Sequence, residues 1–146
     1  MKILVCGDRN WSNQKRLNAV LDQIDGKATI EVLIEGEARG ADTLGRLWAQ
    51  AKTDRNILVE EHPADWNTYH KGAGPRRNKE MLASGPDLVV AFHNDITKSK
   101  GTKNMIKIAL KAKVPVVLYS ETSSRYFDAT KIFVEGIDID KLLEVK

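Results

Sequence analysis

Cysteine is almost missing from this sequence. Cys6 is the only thiol in 146 residues, so an internal disulfide is impossible, a cysteine zinc site is excluded, and a reducing compartment such as the cytoplasm is the natural setting. Histidine is scarce as well. His62, His70 and His93 lie far apart and lack metal-ligand spacing, so no metal is assigned, and no cofactor either. No apolar run approaches the ~20 residues of a membrane helix. The opening Met1–Gly7 is too short for a signal-peptide core and reads as a first strand. There is no G-x-G-x-x-G and no Walker motif, and Ser84 sits in no nucleophile elbow. Repeats, low-complexity tracts and linkers are lacking too, so residues 1–146 read as a single domain.

What is present is an ordinary globular composition, 42% hydrophobic and 29% charged, which excludes disorder. The formal charge of +3 decides little by itself. Its distribution is more informative. Between Ile96 and Ser120 there is no acidic residue, yet Lys98, Lys100, Lys103, Lys107, Lys111 and Lys113 fall there; Lys71, Arg76, Arg77 and Lys79 form a second cluster.

Short apolar runs alternate with helical patterns, the signature of an α/β domain with a parallel sheet. Strands are expected at Ile3–Cys6, Ile30–Ile34, Ile57–Val59, Leu88–Phe92 and Val114–Tyr119. A helix follows from Leu17, Val20, Leu21 and Ile24, capped by Ser12 or Asn13 and stopped by Gly26. Leu44, Leu47, Trp48 and Ala51 repeat that spacing, with Trp48 inward. His62–Gly74 reads as a long polar and aromatic loop, a kind that is usually functional. Pro75 suits a first helical turn, Ser84-Gly85-Pro86 a stop, and Thr102–Ala112 a further helix. Ile132–Val134 is expected as a late edge strand and Ile139–Val145 as a short terminal helix. The near-continuous apolar strands call for helices on both faces of a sheet of about five strands, a three-layer arrangement. Such sheets bind ligands beyond the carboxyl ends of their strands, where strand order reverses.

Four segments at those ends are candidates for chemistry. In Gly7-Asp8-Arg9-Asn10-Trp11, Gly7 permits close backbone approach and Arg9 suits a phosphate, while Trp11 either stacks on a base or caps the core. In Gly36-Glu37-Ala38-Arg39-Gly40-Ala41-Asp42, glycines lead into a helix amino end, whose N–H groups and dipole favour an anion. Arg39 adds charge there, and Asp42 either caps the helix or accepts from a ribose hydroxyl. The third segment, Asp65 to Asn78, carries Trp66 and Tyr69 as a base sandwich, Arg76 or Arg77 as a phosphate fork, and Asn78. In the fourth, Ser99-Lys100-Gly101-Thr102, free N–H groups and a hydroxyl at a helix start make another anion cradle. Lys100 and Lys103 adjoin that glycine; Lys107 and Lys111 read as a solvated flank, His70 as a solvated loop residue and Cys6 as core.

Together these segments resemble the SLOG superfamily, specifically its small YspA-type (YpsA-related) members found in phages and bacteria. The resemblance rests on Gly7 to Trp11, Gly36 to Asp42, Ala73 to Asn78 with Met81, Asp87 to Phe92, and Lys100-Gly101-Thr102 with Met105, spanning residues 1–119. It implies a Rossmann-like fold that binds nucleotides or nucleotide-derived ligands, as a sensor or ligand-binding protein. The related Lonely Guy phosphoribohydrolases share an Arg-x-x-x-Met segment, here Arg77 to Met81, and carry a P-G-G-x-G-T-x-x-E loop. In this chain Gly101-Thr102 remain, but Met105 stands where the catalytic glutamate is expected. A nucleotide N-glycosidic hydrolase is therefore an alternative that must recruit Glu35, Glu37 or Asp42, with Arg77 on phosphate. A second alternative, a binder of single-stranded nucleic acid, follows from the resemblance to DprA, another superfamily member, and from the lysine flank. A homo-oligomer is expected by analogy alone.

Overall fold

The computed structural model describes residues 1–144. A single six-stranded sheet runs through it in the order β3-β2-β1-β4-β5-β6. The strands are β1 (Lys2–Gly7), β2 (Val32–Glu35), β3 (Leu58–Glu61), β4 (Leu88–Phe92), β5 (Val116–Tyr119) and β6 (Ser124–Phe127). All neighbours pair in parallel except β6, which runs antiparallel to β5. The helices are α1 (Gln14–Lys27), α2 (Ala41–Gln50), α3 (Trp66–Tyr69), α4 (Ala73–Ala83), α5 (Gly101–Lys111), α6 (Ala129–Glu135) and α7 (Ile139–Glu144).

Strand alternation sorts the core into two layers. Ile3 and Val5 of β1 face Leu17, Leu21 and Trp48 of α1 and α2. Leu4 and Cys6 face the opposite way, toward Met81 of α4 and Met105, Ile106 and Ala109 of α5. Ile3, Leu4 and Val5 are all completely buried. That burial on both sides is why β1 is a continuous apolar run. The result is a three-layer, Rossmann-like α/β fold.

Several local expectations need correction. Ile132–Val134 is not a strand. It lies in α6, where Ala129 and Ile132 are buried one helical turn apart. The late strand is β6, which buries only Phe127 and has no apolar run to reveal it. The expected terminal helix is α7; Val145 lies outside the described residues. His62–Gly74 is not an irregular loop throughout. Asp65 caps α3 by accepting from Thr68 N–H (3.1 Å), a 3-10 turn spans His70–Gly72, and α4 already begins at Ala73. Gly26 lies inside α1, which ends a residue later at Lys27. At the other end of α1, Asn13 Oδ1 accepts from Arg16 N–H at 2.9 Å, the capping bond.

The chain builds β1, β2 and β3 outward to one side, then returns to place β4 and β5 on the other side of β1. Strand order therefore reverses between β1 and β4. The connections leaving their carboxyl ends diverge to opposite faces of the sheet and open a crevice between them.

Candidate functional site

That crevice is occupied by a cleft of about 660 Å³, with Cys6 and Gly7 from the end of β1 and His93 just after β4 among its walls. Six cationic side chains line it, Arg9, Arg39, Lys71, Arg77, Lys98 and Lys100, against two carboxylates, Asp8 and Asp42. The cleft thus holds more excess positive charge than the whole chain, which carries +3. Trp66 forms part of the wall, and the Arg9 guanidinium lies 5.7 Å from its ring centroid, a cation–π contact between the β1 and β3 connections.

The turn after β2 is organised around one carboxylate. Asp42 sits in the first turn of α2 and reaches back, so that Gly36 N–H (3.0 Å) and Ala38 N–H (3.4 Å) both donate to its Oδ2. Only 4% of Asp42 is exposed. Burial pushes its carboxyl up to about 6, against the pull of the Arg77 guanidinium, those two N–H groups and Arg9. Glu35, at the end of β2, is fully buried, with Oε2 accepting from Glu37 N–H at 2.8 Å and Oε1 unpartnered. Burial and the nearby Asp42 lift it to about 7. The turn closes through Gly40 at φ +73°; a side chain there would collide with the Asp8 carbonyl, which accepts from Ala41 N–H at 3.2 Å.

The α4 segment supplies a hydrogen-bonded strap from the β2 turn to the start of α5. Arg77 Nη1 donates to Gly36 O (2.6 Å) and its Nε donates to Asn78 Oδ1 (3.1 Å). Asn78 Nδ2 in turn donates to Gly101 O (3.2 Å) and to Asn104 Oδ1 (3.0 Å). Asn78 is buried, with both Nδ2 donors engaged and Oδ1 accepting from Arg77. This fixes the guanidinium plane and leaves Nη2 as the donor without an assigned protein bond. Residue 36 must be glycine for the strap to close, because a Cβ there would overlap Arg77 Nη1.

Of the residues singled out in the sequence, Gly7, Arg9, Arg39, Asp42, Arg77, Asn78, Lys100, Gly101 and Thr102 line this cleft. Others stand elsewhere. Trp11 is a core residue, 4% exposed, with its ring 5.5 Å from Phe92 and its Nε1 donating to Asn13 O. Gly36, Gly40 and Ala41 shape the β2 turn from behind the cleft wall. Arg76 is exposed, 4.2 Å over the Tyr69 ring and paired along the helix with Glu80. Glu37 is exposed and turned toward Glu61, whose hydrogen bond holds its carboxyl above the usual range. The Thr102 N–H is not free, because Ser99 Oγ accepts from it at 3.0 Å. Lys107 is not merely solvated; it pairs with Asp140 of α7 at 2.6 Å. Cys6 lines the cleft floor, and burial pushes its thiol far up, so it stays protonated. Met105, in the position of the expected glutamate, is wholly buried.

Asp8, Asn10 and Ser99, which fall within the candidate segments without a role of their own, also line the cleft, as does His93, to which the sequence assigns none. Their one legible feature is position: each follows a strand on either side of the reversal in strand order.

A family model described as the YspA, cpYpsA-related SLOG family matches residues 1–69. A gene 61 protein from Mycobacterium phage D29 is 32% identical over 123 residues, covering 82% of this chain and 97% of that protein. Among solved structures, DNA processing protein A from Helicobacter pylori, described for its single-stranded DNA binding mode, aligns with a TM-score of 0.60. That alignment covers 98% of this chain and 78% of the other at 16% identity, a likeness of fold. The strand order, the glycine-bearing turns and the extent of the phage match agree: this chain belongs to the YspA, cpYpsA-related SLOG family.

Proposed function

We propose that the cleft binds a nucleotide or nucleotide-derived phosphate ligand, and that the protein acts as a sensor or ligand-binding protein for it. One observation carries this reading: six cations contributed by the connections after β1, β2, β3 and β4 converge where strand order reverses, beside an exposed tryptophan ring. Guanidinium groups match phosphate oxygens in geometry and charge. An indole face beside them suits a planar base.

The test is thermal stability in the presence of NAD, ADP-ribose and its cyclic forms, AMP and nucleoside diphosphates. A ligand at 100 times its dissociation constant adds about 2.7 kcal/mol, or about 5–10 °C for a domain of this size. No shift with any member refutes the proposal. The same mixtures, analysed by chromatography for released base, test bond cleavage. Of Glu35, Glu37 and Asp42, the carboxylic acids the sequence offers for that role, Asp42 is the one that lines the cleft, so release that survives Asp42→Asn excludes it.

A second reading is favoured by the fold neighbour, described for its single-stranded DNA binding mode, combined with the cationic cleft. An oligonucleotide binder gains affinity with chain length and loses it with salt, with a log–log slope of about −0.7 per phosphate contacted. Mononucleotides that bind as tightly as ten-nucleotide strands rule this reading out.

A further inference from the structure

We propose that Asp8 and His93 form a subsite for a hydroxyl group of the ligand, the sugar hydroxyl when the ligand is a nucleotide. This inference rests on the proposed nucleotide reading of the cleft. Both residues line it, one from each strand flanking the reversal. Both are held by local bonds. Asp8 N–H donates to Phe92 O (2.8 Å), and Asp8 Oδ1 accepts from Asn10 N–H (2.9 Å). His93 N–H donates to Tyr119 O (2.9 Å), and its Nδ1 accepts from Asp95 N–H (3.0 Å). With Nδ1 an acceptor, the ring proton of the neutral imidazole is on Nε2.

His93 Nε2 and Asp8 Oδ2 are 3.9 Å apart. That is too far for a direct hydrogen bond, yet one oxygen placed about 2.8 Å from each bridges them. Such an oxygen must accept from Nε2–H and donate to Oδ2. A hydroxyl does both. A phosphate oxygen, a carbonyl or an ether has no proton to donate, and Asp8 repels the first of these. The six cations select anionic oxygen, whereas this donor–acceptor pair selects a neutral one. The cleft is therefore polar in a directional sense: phosphate toward the guanidinium groups, sugar hydroxyl toward Asp8 and His93.

The experiment measures dissociation constants by calorimetry for AMP, 2′-deoxy-AMP, 3′-deoxy-AMP and inorganic phosphate. It uses the full chain and two variants that keep the local bonds. Asp8→Asn retains an oxygen for Asn10 N–H and replaces Oδ2 with a donor. His93→Asn retains an acceptor for Asp95 N–H and withdraws Nε2. Melting curves establish that each variant folds. At least one deoxy analogue is expected to bind the native chain about tenfold more weakly than AMP, the usual scale for one hydrogen bond to a charged group, and that gap is expected to shrink to about twofold in both variants. Equal binding of all three nucleotides to the native chain, or an unchanged gap in the variants, overturns the subsite while leaving the nucleotide reading intact. Phosphate binding without AMP binding, or no binding at all, overturns the subsite, and the nucleotide reading falls with it when NAD, ADP-ribose and nucleoside diphosphates also fail to bind.

Discussion

The contribution of Asp42 to stability should fall as pH rises, the opposite of that of a carboxylate whose pKa is lowered by an ion pair, such as Asp22. The Asp42 carboxyl is pushed up to about 6 in the fold, chiefly by burial, from the ordinary value of 3.8. Between those two values the folded chain binds more protons than the unfolded one. Stability contributed by the neutral acid is therefore fully present below about 3.8, is lost progressively up to about 6, and stays lost above. At about 1.4 kcal/mol per pH unit, ionising Asp42 costs the fold about 3 kcal/mol. Asp42→Asn isolates this cost. The Asn side-chain oxygen can still accept from Gly36 N–H and Ala38 N–H, both of which now donate to one carboxylate oxygen, and the amide carries no charge to desolvate. The assay is urea unfolding of both proteins from pH 4 to 7.5. Near pH 4 the two should be nearly equal, and by pH 7 the variant should be the more stable by up to about 3 kcal/mol. Glu35, lifted to about 7 in part by the Asp42 charge, loses that push in the variant, which adds to the difference in the same direction at the upper end of the range. A difference independent of pH refutes the reasoning.

Arg77→Ala should weaken phosphate-ligand binding by about 1.5–3 kcal/mol, read by calorimetry, because it removes a charge-assisted bond; it should also lower the melting point by freeing Gly36 O and Asn78 Oδ1. Gly36→Ala drives a Cβ into the Arg77 guanidinium, so binding should fall toward the Arg77→Ala level in the same titration. Trp48→Ala should instead cost about 3–5 kcal/mol of stability in urea unfolding, as a core truncation. That residue is 3% exposed, with Nε1 donating to Asp22 Oδ1 at 2.9 Å, and its distance from the cleft leaves the affinity of whatever remains folded unchanged.

The five parallel strands are legible in the sequence because each lies in a sheet with helices packed on it. Leu88 to Phe92 and Ile3 to Cys6 read as unbroken apolar runs for that reason. β6 is not legible: as an edge strand it presents Ser124 and Tyr126 to solvent and needs only Phe127 inside. Ile132–Val134 misleads as an edge strand, since a short apolar cluster does not distinguish a strand from a helix; Ala129, buried with Ile132 at helical spacing, fits the helix. The site divides the same way. Glycine-bearing turns announce themselves by composition, and strand–helix alternation brings Arg39, Arg77 and Gly101 to one end of the sheet. Trp11 is ambiguous in the sequence, between stacking on a base and capping the core, and packing against Phe92 with its Nε1 donating to Asn13 O decides for the core. The pairing of Asp8 with His93 is not legible because it lies in a distance across β1 and β4, which become neighbours only in the folded sheet.

The glycine-rich turns look like cradles in which backbone N–H groups receive a phosphate, yet most of the donors seen there are already engaged. Gly36 and Ala38 N–H serve Asp42, Ala41 N–H serves the Asp8 carbonyl, and Thr102 N–H serves the Ser99 hydroxyl. A bound anion would therefore depend on side-chain tips, namely Arg9, Arg39, Arg77, Lys98 and Lys100, rather than on fixed amides. Side-chain cations in an open cleft are screened over about 8 Å at physiological salt, whereas short bonds to buried amides are screened far less. Ligand affinity should accordingly fall severalfold between 50 and 500 mM potassium chloride, measured by calorimetry at constant pH. Affinity that holds constant over that range would mean that the internal bonds of these turns open to receive the ligand, with Asp42 displaced from the cradle that it fills.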